Sequence, residues 1–367
     1  MKTKTSIITT VDHNIGDDFV REGLLYLLSS AGVVGDVELI HKHSPVSNFY
    51  GMERIRSLRA SKVFEPIIRH IGWKNRIQDC SLLIQSGAPI YWCHESGNNC
   101  ANNEWFDPLI RQSYIKRKEG KKFLNLAGGS CQRYHSDGSE VNQYPECGKY
   151  MRELYDACDL TVLRDTLAQR MLLNAGRKAA VLPCASIFAV DQLGICKREG
   201  EYIVINFMEN GGHYTFGQNI DGARWRATFL EIAAIVEDMG KVVVACHNQY
   251  EFDLARELVP HLEAFLIPNN YIEFMRFYAG ARFGVVNRVH SAFMLASLSK
   301  PAVVIGSDSR ARMVENLNLK SYYVGDELDP KTIVNDVADI ELSYGEVIGS
   351  LKAKVKANYL DLLADVL

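Results

Sequence analysis

The run Phe283-Gly284-Val285-Val286-Asn287-Arg288-Val289-His290-Ser291 joins an apolar, β-branched segment to a helical pattern over Ser291–Ser299. These residue types suit anion chemistry. A guanidinium presents a planar fork of donors to a carboxylate or phosphate, and an imidazole two residues later exchanges a proton near neutral pH. The helix start, with Ser291, adds backbone donors for the same anion. Arg164 ends a second apolar run, Leu160–Leu163, just before Asp165 and Thr166, either of which can cap the next helix. Arg310, in Ser307-Asp308-Ser309-Arg310, is a third cation after a strand-like run. A polar turn near the start of the chain, His13-Asn14-Ile15-Gly16-Asp17-Asp18, again separates a strand pattern from a helix pattern. There Gly16 permits close backbone approach, Asp17 or Asp18 can cap, and His13 ranks second to His290 as a base. The small-residue turns around Gly87 and Gly128-Gly129 can bring backbone N–H groups to an anion or sugar. His94, His135, His213 and His247 read as structural or peripheral. Cys131 has no local motif naming a base that would make it a nucleophile.

The elements that must hold these residues follow from periodicity. Strand-like runs occur at Ser6–Val11, Val37–His41, Ser81–Gln85, Lys122–Leu126, Leu160–Leu163 and Ala180–Pro183, then at Tyr202–Phe207, Val242–Cys246, Ala264–Ile267, Phe283–Asn287, Ala302–Gly306 and Tyr322–Val324. Helical spacing fills the intervals, including about Met52–Ile71 and Phe106–Lys118. Strand–helix alternation of this kind implies parallel sheets covered on both faces. The expected fold is α/β, with two Rossmann-like domains facing a cleft, residues 1–190 and 200–342, and a C-terminal helix over 343–367. The polar stretch Asp191–Glu201 is the linker. Ligands of such sheets bind beyond the C-terminal strand ends, where the arginines and His290 fall.

Composition narrows the partners. The chain has 367 residues with 41 Lys+Arg against 44 Asp+Glu, so no global basic field exists for nucleic acid. No stretch reaches the ~20 apolar residues of a membrane helix, and the N-terminus lacks the apolar run of a signal peptide, which reads as a cytoplasmic protein. Cys93, His94, Cys100, Cys131, His135 and Cys147 are ligand types, but their spacing fits no tight metal site, so no metal is expected. Between Glu53 and Arg76, seven Lys/Arg face two Glu, a local charge of +5 interleaved with Ile67, Ile68, Ile71 and Trp73. That segment reads either as a solvated helix with one buried face or as a peripheral contact with the inner face of a membrane.

Four of these motifs stand in the order found in the polysaccharide pyruvyl transferase family, which the chain resembles over roughly residues 5–325. They are Asn14-Ile15-Gly16-Asp17, Arg164-Asp165, Arg288-Val289-His290 and Lys300-Pro301. Where the family usually carries a glycine-rich run after the third strand, this chain has Gln85-Ser86-Gly87. Where it commonly has a tyrosine–aspartate–lysine element, this chain has Ser307-Asp308-Ser309-Arg310. The resemblance implies a glycosyltransferase-B-like fold and transfer of pyruvate from phosphoenolpyruvate, as co-substrate with no further cofactor, to hydroxyls of a sugar. The acceptor would be free, nucleotide-linked or lipid-linked. It also implies that Arg164, Arg288 and His290 form the donor site, while the Asn14–Asp17 turn faces the acceptor, with residues 1–190 as the acceptor side and 200–342 as the donor side. The competing reading is a glycosyltransferase of the same architecture using a nucleotide sugar. That would call for an acidic residue after a strand of the second domain.

Overall fold

The computed structural model describes residues 4–11, 14–42, 45–52, 54, 67, 76–93, 120–209 and 220–367. The expected helix over Phe106–Lys118, most of the basic segment 53–76, and His13, His94 and His213 lie outside the described residues. Among those described, thirteen strands form two parallel sheets. The first contains β1 (Thr5–Thr9), β2 (Val37–His41), β3 (Leu82–Gln85), β4 (Pro89–Tyr91), β5 (Lys122–Ser130), β6 (Leu160–Leu163) and β7 (Ala180–Val181), in the order β2-β1-β3-β5-β6-β7 with β4 pairing β5. The second contains β8 (Tyr202–Ile205), β9 (Val242–Ala245), β10 (Glu263–Phe265), β11 (Ala281–Val286), β12 (Ala302–Gly306) and β13 (Ser321–Tyr323), in the order β10-β9-β8-β11-β12-β13. The strand order therefore reverses between β1 and β3 in one sheet and between β8 and β11 in the other. A crevice opens at such a reversal, because the two neighbouring crossover helices lie on opposite faces.

The buried sides of the sheets are near-continuous apolar runs such as Val242–Ala245 and Ala302–Gly306, as strands covered on both faces require. One apolar cluster belongs to the first sheet and another to the second, while a third is common to both. The shared cluster brings Phe19, Leu24 and Leu27 of the helix Ile15–Ser30 together with Phe274 and Tyr278 of the helix Tyr271–Ala279 and with Phe293 of the helix Val289–Ser297. The C-terminal helix Tyr344–Ala364 closes it with Ile348, Val355, Tyr359 and Leu363, and ties itself to the first half. Tyr359 donates to the Pro183 carbonyl at 3.3 Å and Lys356 to the Tyr26 hydroxyl at 2.8 Å.

A second seam joins the halves at the strand ends. Ser309 N donates to the Gln132 carbonyl at 3.0 Å, Gln132 N donates to Ser309 Oγ at 2.9 Å, and the rings of Tyr134 and Tyr323 stack with centroids 5.0 Å apart.

Candidate functional site

The turn after β1 is built to admit a side chain from the other half. Asn14, not Asp17 or Asp18, caps the helix Ile15–Ser30, its Oδ1 accepting from Gly16 N at 3.0 Å. A Cβ at Gly16 would overlap Nδ1 of His290, so only glycine lets the second half's imidazole reach this position. Asp17 is buried. Its Oδ2 accepts from Thr10 Oγ1 at 2.5 Å and Lys42 Nζ at 3.1 Å. Burial pushes this carboxyl up, but the Lys42 charge, the Thr10 hydroxyl and His290 outweigh it and hold the group at about 2. The turn Asn14–Asp17 thus lies against the His290 ring.

Arg164 is set by the end of β5. Register shifts between Leu126 and Gly128, where Ala127 adopts φ 59, a left-handed β-bulge. Beyond the bulge, Ser130 donates to Asp165 through N at 2.8 Å and Oγ at 2.7 Å, and Asp165 also caps the helix Thr166–Asn174 at Ala168 N. A Cβ at Gly129 would overlap Arg164 Nε, so this glycine makes room for the guanidinium. Arg164 is 1% exposed, and its Nε and Nη1 find no hydrogen-bond partner among the described residues. Gly87 and Gly128 are also closely packed. A Cβ at Gly87 would strike the Ala127 carbonyl at 2.5 Å, and one at Gly128 would strike Asn125 Oδ1 at 2.7 Å. Both are close-packing positions against protein.

On the second sheet, Arg288 and His290 flank the start of the helix Val289–Ser297. Arg288 Nη2 donates to the buried carboxylate of Glu251, while its Nε has no partner among the described residues. Ser291 is wholly buried. It accepts from Tyr278 at 2.7 Å and meets His247 Nε2 at 3.2 Å, and its N–H bonds the Arg288 carbonyl, so it supports the site from beneath. Arg310 directs Nε and Nη2 at Asp308, at 2.9 and 2.6 Å, and so is already paired.

His290 Nε2 is buried without a partner among the described residues. Burial lowers its pKa to about 3, helped by the charges of Arg164, Arg310 and His247 and opposed by Asp17. His247 falls to about 4 through burial and Arg288, against Glu251. Burial pushes the Cys131 thiol far up, which removes it as a nucleophile at neutral pH. His290 of one half and Arg164 of the other thus lie within electrostatic reach at the junction, each with buried nitrogen atoms that have no partner among the described residues. Sequence reasoning missed Lys42, Glu251 and Asn206, which sit in no motif and gain meaning only from their partners.

Residues 14–309 match the polysaccharide pyruvyl transferase family. The chain belongs to that family. No curated protein matches it in sequence. In fold, this pyruvyl transferase family member is similar to the UDP-GlcNAc 2-epimerase of Methanocaldococcus jannaschii, solved with UDP-GlcNAc and UDP. The two share 11% identity at a TM-score of 0.50, over 96% of this chain and 99% of that one. It is also similar to a protein described as a UDP-N-acetylglucosamine 2-epimerase from Listeria monocytogenes, at 12% identity and a TM-score of 0.51 over 95% and 91%. At such identity the likeness is one of fold alone. It is a glycosyltransferase-B-like arrangement of two Rossmann-like units facing a cleft. At that junction His290 of the second half lies against Gly16 and within electrostatic reach of Arg164 of the first.

Proposed function

We propose that this enzyme moves pyruvate from phosphoenolpyruvate to hydroxyls of a sugar, forming a ketal in the synthesis of a surface polysaccharide or cell-wall precursor. Arg164 carries the reading. A guanidinium removed from water with two unsatisfied N–H groups is costly unless an anion completes it. Phosphoenolpyruvate brings two anionic groups, and Arg164 and Arg288 offer a fork from each half.

His290 supplies the proton chemistry. Neutral at physiological pH, its Nε2 takes the proton of the first sugar hydroxyl, and as that oxygen bonds C2 of the donor the C2=C3 π pair moves to C3 and picks up the proton the ring has just received. The imidazolium so formed sits beside Arg164, which makes it a strong acid toward the C3 methylene. The C2–O bond to phosphate then breaks with its electron pair leaving on phosphate, and a second hydroxyl closes the ketal. The two hydroxyl protons balance the one given to C3 and the one that phosphate carries away. The acceptor, a free, nucleotide-linked or lipid-linked saccharide, lies on the first sheet's side of the cleft. Among the described residues no helix is long and apolar enough to cross a membrane.

Calorimetric titration tests the donor. Phosphoenolpyruvate should bind saturably to the wild-type protein and lose most of its affinity in Arg164→Met. His290→Ala should still bind but lose turnover by about 10²–10⁴-fold. Binding of a UDP-sugar without binding of phosphoenolpyruvate would replace this reading by the glycosyltransferase one. Against that alternative stands Glu251. It is the acidic residue after β9, but it is 2% exposed and turned onto Arg288 rather than offered to a ribose.

A further inference from the structure

The proposed donor is lopsided, with a singly charged planar carboxylate at one end and a nearly dianionic phosphate at the other. The two arginines are lopsided in the same sense. At Arg164 no acceptor meets Nε or Nη1 among the described residues. At Arg288 a carboxylate already offsets the charge. Glu251 takes Nη2 and is itself fixed, accepting from His247 N and Asn248 Nδ2, each at 2.9 Å, while Asn248 Oδ1 caps the same helix at Glu251 N. The buried donor left over at Arg288 is Nε, with little net charge behind it.

Asn206 stands beside it, just past β8, where the strand order of the second sheet reverses. Its Oδ1 accepts from Asn287 N at 2.6 Å and Arg288 N at 3.2 Å, fixing the backbone that carries the arginine. Its Nδ2 is buried and has no partner among the described residues. A buried amide N–H₂ left over at a crevice costs free energy until a ligand oxygen meets it.

We infer that Arg288 Nε and Asn206 Nδ2 form the seat for the donor's carboxylate, with Glu251 as the positioning residue that holds Arg288 and tempers its charge, while Arg164 takes the phosphate. This rests on the phosphoenolpyruvate reading and divides its donor between the two halves. Tempering one of the two cations also eases release, because inorganic phosphate then has a single strong anchor.

The test measures binding of phosphoenolpyruvate, inorganic phosphate and pyruvate separately to the full-length protein. Asn206→Asp keeps the Oδ1 acceptor for both backbone N–H groups and turns the free donor into an anion. Pyruvate should weaken at least tenfold, with phosphate changed less than twofold. Glu251→Gln keeps an acceptor for Nη2 but removes the charge, so pyruvate should tighten severalfold, a gain that a merely structural role does not give. Arg164→Met should reverse the pattern and abolish phosphate binding first. Should Glu251→Gln fail to melt cooperatively, the isosteric Asn206→Asp decides alone. If phosphoenolpyruvate binds but both probes respond equally to each variant, the seat assignment is overturned and the donor reading survives. If the wild-type protein binds none of the three, both fall.

Discussion

Burial and the charge of Arg164 hold His290 at about 3, far below the 6.5 of a free histidine, so in the empty site the ring is neutral above about pH 4. A donor bearing negative charge offsets Arg164, favours the imidazolium and raises this pKa, so binding draws a proton onto the protein. The donor's own phosphate shifts oppositely, releasing a proton as Arg164 favours its dianion. The His290 contribution is therefore the difference between wild type and His290→Gln. At pH 6 the calorimetric enthalpy of phosphoenolpyruvate binding should vary with the ionisation heat of the buffer, with more proton uptake in the wild type than in the variant. Equal uptake in both would show that donor binding does not raise the pKa of His290 and leaves the ring neutral for its role as base. At this scale the sequence was partly legible. Arg164, Arg288 and His290 stand at the ends of apolar runs, where parallel strands deliver side chains to a crevice. Glu251 was not, since a glutamate in the first turn of an amphipathic helix ordinarily reads as a favourable charge at the helix start. Only the fold turns it onto Arg288. Lys42 was hidden in the same way, 25 residues from the Asp17 it neutralises.

Element boundaries show how β-branched runs and local turns carry information unequally. Val37–His41, Leu160–Leu163 and Ala302–Gly306 are strands over the spans their composition implies. β5 runs on to Ser130, four residues past the apolar run, because pairing with β4 and β6 overrides the poor strand propensity of Gly128 and Gly129. Nothing local marks the bulge at Ala127, nor the short β4 that begins with a proline. The helix Pro330–Ala338 was also missed, though Asp329 caps it with proline in its first turn. Close packing between elements is similarly invisible in sequence. Gly23, inside the helix Ile15–Ser30, sits so near the Ala185 carbonyl that a Cβ would overlap it. Gly23→Ala would ordinarily improve a helix, yet here it should cost about 1–3 kcal/mol by overpacking. The melting temperature should drop by several degrees; an unchanged or raised value would show that the two elements part without cost.

The whole molecule is held by contacts that cross between the sheets. Tyr271 donates to Glu22 at 3.1 Å, and Arg21, paired with Asp18 and Glu22, lies over the Tyr271 ring. With the Gln132–Ser309 seam and the C-terminal helix, these contacts fix Gly16 against His290, so the site exists before any ligand arrives. Removing residues 344–367 would strip Tyr344, Ile348, Val355, Tyr359 and Leu363 from the core. At about 1.5–3 kcal/mol per buried side chain, that loss is roughly 10 kcal/mol, as large as the net stability of a typical protein. The truncated chain should show no cooperative melt, and a sharp transition near the full-length temperature would refute the shared core. Two folding units were legible in the sequence because each repeats strand–helix alternation. Their common core was not, since it joins residue 19 to residue 363.

That joining also sets a timetable during synthesis. The helix Ile15–Ser30 leaves the ribosome early, with its apolar face ready. Part of that face is covered within the same half by residues 185–193, but the residues that finish the cover, from Phe274 to Leu363, are translated last, and at ~5–20 residues per second the gap lasts tens of seconds. Through that interval the nascent first half carries a partly covered hydrophobic stripe, a natural holding site for a chaperone, and the junction of the two halves assembles only as the final helix docks.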